Sequence, residues 1–555
     1  MHPRRAILAL AGGLGLAAVG AGAMAQAAAE RRLDAAIERL RASLGPDARI
    51  SWGQRQVDPV SGSARFGDLL LTTAERRVTI AEALFQEVTE TQLGRAELRG
   101  LLMTEAKGER AELARLVVGG VPIPGPAPGG GFDLARFEFK MLEAEALRAT
   151  SPEGSLSFGR VTAEGYLPGA LGQATAEAVQ YQGTGSDRNA FRLGRLAITG
   201  LVMPAPGQDL VLRAFAVQGL LVEGAALTDP DKAVDVEIGR LALSDWVPGR
   251  LTDIAAEGLR LGAPFGPLGT GTVRMGRLAI RGIDMADTVA AMFDGAQPPS
   301  PAPGARQTLL LEGISAETAG QPLFRLGRML ADGDMAANGD ATGGIALEGL
   351  EVTLPRGTVP WLEQVGYPAI AGSLEIQGRL QREGGVLDIA PWRTSWAEAG
   401  TLTIGGRFLG LPVLAPGAVV DDAVVMQQLL AARLGSVTLT WREQGLLGRV
   451  LAWQARGNRV PEARIREQWA QAALAMPLPG APPPRGGAPA SGAKDAAPDA
   501  FAPIREAIAS FIRQPREIEV ALRPARPFPV SEMAALGAAG PVEIVRLLGI
   551  TVQAR

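Results

Sequence analysis

The chain contains no cysteine and a single histidine, His2. Without thiols there is no disulfide framework, no thiol nucleophile and no Cys-ligated zinc, iron–sulfur or haem site. His2 precedes a segment that reads as removable, which would leave the mature chain without imidazole. Ser-His-Asp chemistry, HExxH zinc sites and most nitrogen-ligated metals go with it. Aromatic residues are only 5%, so Ala, Leu, Val and Ile must supply most of the burial. Lysine occurs only as Lys107, Lys140, Lys232 and Lys494, and a formal charge of −3 leaves no basic excess to hold nucleic acid. What the chain does have is 47% apolar residues, enough for a large folded core. Its 555 residues leave room for roughly three or four domains.

Residues 1–25 read as an export signal or N-terminal anchor. MHPRR is a basic start, Ala6 to Ala25 is uncharged, and Ala23-Met24-Ala25 supplies the small residues a signal peptidase accepts. Cleavage and retention as an inner-membrane anchor both remain open, because the run is long enough to span but is diluted by glycine. Arg4-Arg5 leaves general and twin-arginine export open as well. The expected location is the periplasm of a bacterial cell.

Residues 26–47 hold a helix over 27–44, with Leu33, Ile37, Leu40 and Leu44 at helical spacing and Gly45-Pro46 as its stop. From 48 to 420 the pattern becomes alternating strands broken by Gly, Pro and Asp. A repeat runs through them, apolar-Gly-Arg-apolar, at Leu93-Gly94-Arg95, Phe158-Gly159-Arg160, Leu193-Gly194-Arg195, Ile238-Gly239-Arg240, Met275-Gly276-Arg277 and Leu326-Gly327-Arg328. In the clearest copy Leu196 and Ile198 point to one face, and Arg195, Ala197 and Thr199 to the other. The leading glycine permits a bulge or tight entry, and a trailing one such as Gly200 a turn or bend. One such strand cannot bury its apolar face alone, whereas stacked copies can. The irregular spacing, 35 to 65 residues, fits meandering hairpins better than a strict solenoid.

Further strands are expected at Ala64–Thr72, Arg76–Leu84, Asp209–Gly219, Gln307–Gly313 and Gly344–Leu354. Three more, at 373–380, 386–389 and 401–408, share one apolar face. Short helices are expected at Ala286–Phe293, capped by Asp287, and at Thr358–Val365. The stretches 119–131 and 295–305 read as exposed loops. Residues 421–475 form a helical region with one strand at Ser436–Trp441. Residues 476–500 are a Pro/Gly/Ala linker. Residues 501–555 form a C-terminal α/β segment whose two strands rejoin the main sheet. The fold class is therefore mainly β with a helical C-terminal portion, as an elongated, curled antiparallel sheet of short alternating strands.

The chemistry on offer is sparse. Asp332-Gly333-Asp334 with Asn338-Gly339-Asp340 has calcium-like residue types but lacks EF-hand spacing and reads as turns. Glu143/Glu145 and Asp421/Asp422 are the carboxylate pairs a glycosidase would need, and otherwise a solvated face and a helix cap. The repeated arginines read either as a ladder for anionic headgroups or saccharides, or as outward residues paired with nearby Glu. Trp361, Trp392, Trp396, Trp441 and Trp453 read as core anchors, with a carbohydrate or interface platform as the alternative. No catalytic, cofactor-binding or metal-ligating residue is assigned, and no cofactor is expected.

The layout resembles the AsmA/TamB-like periplasmic proteins of Gram-negative bacteria. An N-terminal exporting or anchoring segment precedes hundreds of residues of alternating strands, and TLTIGGRFLGL at 401–411 has the flavour of such repeats. The resemblance covers about 48–420. It implies a long curled sheet with an apolar groove and a part in outer-membrane biogenesis and phospholipid movement. The expectation is a non-enzymatic envelope protein that contacts phospholipid or an outer-membrane client through an apolar sheet face. A protein-interaction scaffold, and a carboxylate-based hydrolase of envelope glycans, are the alternatives.

Overall fold

A computed structural model describes residues 25–44, 47–58, 63–73, 76–89, 91–105, 108–123, 137–184, 188–204, 211–266, 269–296, 299, 303–353, 357, 359–411, 426, 430–476, 501–532 and 541–555. The protein is mainly antiparallel β, with most of its helix in the C-terminal part. Its contacts divide it into two compact units, residues 1–298 and 299–555.

The first unit begins with helix α1, Ala25–Leu44. Strands β1 (Arg49–Ser51) and β2 (Gln54–Val57) both pair with β3 (Ala64–Thr72). An unbroken antiparallel meander follows: β4 Arg76–Val88, β5 Gln92–Glu105, β6 Arg110–Pro122, β7 Phe139–Ser151, β8 Gly154–Leu167, β9 Ala170–Gly183, β10 Ala190–Val202, β11 Ala216–Asp229, β12 Val234–Trp246, β13 Thr252–Pro264 and β14 Thr270–Ile283. Helix α2, Met285–Phe293, closes the unit. From β3 onward each strand pairs with its sequence neighbours, and among the described residues of the unit no pairing returns β14 to β1–β3.

Several expectations need correction. Most strands run 13 or 14 residues, longer than the short stretches read from alternation. Positions 119–122, taken for loop, belong to β6, because Val121 and the following Ile123 are almost wholly buried. Of the strand expected at Asp209–Gly219, residues 209–210 lie outside the described residues and only Ala216–Gly219 is strand. Leu212–Ala214 is a single 3-10 turn, and β11 starts at Ala216. The cap of α2 is Asp284, which accepts from the Asp287 backbone N–H at 3.0 Å, so Asp287 lies inside the helix.

Alternation misleads because it is interrupted at regular places. Gly100, Gly120, Gly165 and Gly200 have φ of 61°, 66°, 66° and 61° inside strands, not at turns. Each such residue flips the order of faces, so core residues stand three apart, as in Leu98 and Leu101 or Val118 and Val121. The partner strand makes the same step, Ile80 to Ala83 against Leu101 to Leu98, so register is kept.

The second unit continues the pattern with β15 Gln307–Thr318, β16 Gln321–Met335, β17 Ala341–Thr353, helix α3 Pro360–Val365, β18 Ala369–Gln381, β19 Val386–Trp396, β20 Gly400–Leu409 and β21 Arg433–Glu443. Helices α4 (Leu446–Asn458), α5 (Glu462–Leu474) and α6 (Ala502–Arg513) follow, then β22 Glu517–Leu522, β23 Phe528–Pro529, α7 Pro541–Leu548 and β24 Ile550–Ala554. The late strands do rejoin the sheet: β22 pairs with β21, and β24 with β22. Most of the expected helix 421–434 and the linker 477–500 lie outside the described residues, and Arg433 and Leu434 open β21.

Helices α5 and α6 meet through Ala470, Ala473 and Ala509, all buried. Small side chains let the two backbones approach. Arg513 donates to both carboxylate oxygens of Glu467, at 2.7 and 3.0 Å, and Gln471 donates at 2.7 Å. These bonds, Arg513 first, hold the Glu467 carboxyl down at about 2. A depressed carboxyl stabilises the fold above its unfolded value and loses that contribution as pH falls through its folded one. Glu467→Gln is therefore expected to flatten the acid limb of stability between roughly pH 4.5 and about 2. Urea unfolding across that range checks it. The pair is exposed, so the effect is modest.

Candidate functional site

The first unit's sheet carries rows of register partners that share a face. One row runs Phe66–Ala83–Leu98–Leu116–Ala144–Val161–Ala176–Leu196–Val222–Leu241–Ala256–Leu278, from β3 to β14. Two residues along each strand, a second row runs through Phe85, Val118, Leu142, Ile198, Leu220, Leu243, Ile254 and Ile280. A third joins Ala149, Leu156, Tyr181, Phe191, Leu227, Val236, Leu261 and Val273. All three rows enter one buried cluster at their β3–β8 ends, so they lie on the same face.

That face is covered unevenly. Over the early strands it forms a sealed core into which α1 sends Leu33, Ala36 and Leu40. Within the cluster the last fully buried member is Ala163 on β8. From β10 to β14 the same rows continue mainly as half-buried side chains, with Ala256 buried at 3% exposure and Leu227 and Leu261 each 41% exposed. Open depressions of about 560 Å³ and about 520 Å³ lie along β8–β13. The first is lined mostly by the polar-face row Ser157, Gln180, Arg192, Glu237 and Arg260, with Tyr181, Phe191, Leu227 and Val236 beside it. The second mixes Leu193 and Ile238 with Arg192 and Glu237, so neither is a pocket of the apolar face alone. A smaller cavity of about 50 Å³ beside Met103, Ala149 and Leu156 has room for little more than a water. Within the second unit, Leu309, Ala331, Ile345 and Ile376 form a comparable apolar row, with Ile345 exposed.

The opposite face carries the repeated arginines, in an order the repeat alone does not disclose. From β6 to β14 one row reads Arg115–Glu145–Arg160–Glu177–Arg195–Glu223–Arg240–Glu257–Arg277. Charge alternates at every strand. Glu223 lies 4.0 Å from Arg195 and 3.9 Å from Arg240. In the second unit Arg328 stands between Glu312 and Glu348 at 3.9 and 3.8 Å. The first copy departs, since Arg95 faces Gln86 and Gly119 instead of entering the row. An arginine flanked on both sides by carboxylate is neutralised in place. The geometry favours paired outward residues over a ladder for anionic ligands, each pair contributing about 0–1 kcal/mol.

The glutamates reveal the missing half of the repeat. Each is followed by a residue of positive φ: Ala146 (54°), Ala178 (53°), Gly224 (62°), Gly258 (64°), Gly313 (63°) and Gly349 (64°). Gly194, Gly239 and Gly327 of the Gly-Arg strands face three of these. A Cβ there would come within 3.0–3.1 Å of the glutamate carbonyl oxygen. The unit is thus a hairpin in which apolar-Gly-Arg on one strand answers apolar-Glu-Gly or apolar-Glu-Ala on the next. The sequence signal was present, in AEAL, AEAV, VEGA, AEGL, LEGI and LEGL, and was missed because only the arginine strands were aligned.

The remaining candidates fall apart as sites. Glu143 and Glu145 share a face and share Arg115, at 3.5 and 3.4 Å, and Glu143 also pairs with Arg160. Below them Arg115 reaches Glu97 at 3.0 Å, and Arg115 and then Arg99 lower the Glu97 carboxyl from its ordinary value. Asp421/Asp422 lie outside the described residues. Asp332, Gly333 and Asp334 lie inside β16 and not in a turn, with Asp332 bound to Arg306 at 2.8 Å, whereas Asp340, at the turn after β16, accepts the Arg382 N–H at 2.9 Å. Among the described residues no group of three or more His, Asp or Glu side chains is placed to hold a metal ion. No described helix is long and apolar enough to cross a membrane. The tryptophans split: Trp441 is half-buried and donates to Glu443 at 3.0 Å, whereas Trp361, Trp392 and Trp453 are exposed.

No curated protein matches the chain. Residues 393–555, from β19 to the C-terminus, match a family model described as an uncharacterized protein.

Proposed function

We propose that the protein is a non-enzymatic envelope protein that holds phospholipid acyl chains on the apolar face of its first unit, between β8 and β14. What carries this reading is the uneven cover of one continuous apolar face, sealed by α1 at one end and half-open further on. Five strands, β10–β14, at about 4.8 Å spacing extend roughly 19 Å. That exceeds the half-thickness, about 15 Å, of a bilayer's hydrocarbon core, so one acyl chain fits across them. Each methylene removed from water contributes about 0.8 kcal/mol, which suffices for binding without any charged contact. The export-like N-terminus and the resemblance to AsmA/TamB-like proteins support a periplasmic setting.

Mass spectrometry of lipids co-purifying with the protein from native membranes and periplasm tests the reading, together with titration of a fluorescent fatty acid. Leu227→Ser with Leu261→Ser is expected to weaken fatty-acid affinity about tenfold while barely changing stability, because both side chains are already exposed. Unchanged affinity in that variant would sink the acyl-chain site. A stoichiometric protein partner without lipid would favour a scaffold instead.

A further inference from the structure

The two ends of the strands in the first unit differ in kind. The ends that carry the β9–β10 and β11–β12 connections are polar, with Arg188 paired to Asp231 and Lys232 to Asp229. The other ends carry the β10–β11 and β12–β13 connections and α2. There Val211 is 55% exposed, Leu212 46%, Met292 68% and Phe293 79%, and Leu251 and Val202 are exposed beside them.

These side chains are presented by a braced scaffold. Asp284 accepts from the Gly249 N–H at 2.7 Å and the Asp287 N–H at 3.0 Å, which ties the start of α2 to the β12–β13 turn. The buried hydroxyl of Thr252 accepts from the Met285 N–H at 3.3 Å and donates to the Asp245 carbonyl at 3.1 Å. Ala286, Ala290 and Ala291 face inward and are buried. Arg213 approaches Asp294 at 3.6 Å and fastens the 3-10 turn to the end of α2. Met292 and Phe293 therefore project from a helix whose other end is anchored.

We propose that this edge inserts into the surface of a lipid bilayer. The inference deepens the acyl-chain reading and rests on it for the purpose of insertion, though not for insertion itself. A bilayer fits because Val211, Leu212, Met292 and Phe293 protrude side by side from the strand ends, next to the end of the apolar sheet face, and lipid demands no shape complementarity. The edge cations Arg213 and Arg250 are each held by a carboxylate, Asp294 and Asp245, so attraction to anionic headgroups is not the driving term. The apolar sheet face also reaches this edge. Phe139, Tyr166, Leu171, Leu201, Val217 and Trp246 form a last row beside it. A chain leaving the bilayer over this edge meets that row and crosses no charged one.

The absence of cysteine makes the test direct. Phe293→Cys, Leu212→Cys and Lys232→Cys in the full chain are each labelled with an environment-sensitive fluorophore. The labelled proteins are mixed with phosphatidylcholine vesicles containing spin-labelled lipid. Labels at 293 and 212 are expected to shift to the blue and lose most of their emission to the quencher, at low and high salt alike. The label at 232 is expected to stay unquenched. Met292→Ser with Val211→Ser should reduce quenching of the label at 293 about tenfold in vesicle concentration. Equal quenching at 232 and 293, or none at 293 in vesicle-bound protein, overturns the proposal. So does a blue shift at 293 that follows protein concentration without vesicles, which assigns the edge to a second copy. Fatty-acid titration of the same variants keeps the two readings apart. Normal titration with no quenching rejects the edge alone, and lost titration in unlabelled wild type rejects the sheet site.

Discussion

Phe66→Ala is expected to destabilise the first unit by about 3–5 kcal/mol, the largest effect of any single truncation considered. Phe66 is 2% exposed and lies at the start of the longest apolar row. Its ring meets Trp52 edge-on at 5.4 Å and Phe85 at 5.8 Å, and such pairs add about 0.5–1.5 kcal/mol each beyond burial. The same cluster holds Leu33 and Leu40 of α1, so the cavity would also loosen the helix that seals this end of the face. Urea unfolding should show a lower midpoint at unchanged slope, with Phe66→Leu recovering most of the loss. A cost under about 1 kcal/mol would mean that the site collapses freely and that the seal is looser than its burial indicates. The same truncation on the half-open part of the rows, Leu261→Ala, should cost much less, because less surface is withdrawn from water there.

The second large effect is expected at a repeat glycine. Gly239→Val would bring its Cβ to 3.0 Å from the Glu257 carbonyl oxygen and 3.6 Å from the Gly258 Cα. Both neighbours are backbone and neither can rotate aside. Gly258 already has φ of 64°, which leaves it little room to shift. Crowding of this kind costs about 1–3 kcal/mol, and we expect the upper half of that range. Gly448→Ala in α4 is the contrast, since nothing lies within 4 Å of its Cβ position. There the substitution should stabilise by about 0.5–1 kcal/mol, because alanine loses less freedom in a helix. Thermal unfolding of the two variants beside wild type decides it. Similar effects at both glycines would remove the close approach as the reason for the repeat.

Much of this fold was legible from residues alone. Ala64–Thr72 and Ile550–Ala554 match their strands end to end, and α5 differs from its expected bounds by one residue. Period-two alternation is local, and a strand with one buried face must show it. The apolar-Gly-Arg copies were visible because close backbone approach excludes every side chain but glycine's. Strand length was less legible. Ala146 and Glu87 take positive φ without being glycine, and the three-residue step they impose looks like the end of a strand when alternation is the only guide. Positions 211–215 of the strand expected at Asp209–Gly219 failed for a related reason, because the apolar Val211 and Leu212 are exposed, not buried.

The division between what sequence determines and what tertiary structure decides follows from range. Composition and spacing alone determined the mainly β class, the repeated strand, the lack of thiol chemistry and the order of the C-terminal elements. Each depends on neighbours a few residues apart. Cross-strand register decided the rest. It set the repeated arginines between glutamates 15 to 30 residues distant, as in Glu177–Arg195–Glu223, and turned a would-be cationic ladder into a charge-paired row. It placed α1 over the early part of the apolar face and left β10 to β14 half-open, and it gathered Val211, Leu212, Met292 and Phe293 at one edge. Pairing partners are chosen by burial across the whole unit, and no window of sequence contains that choice.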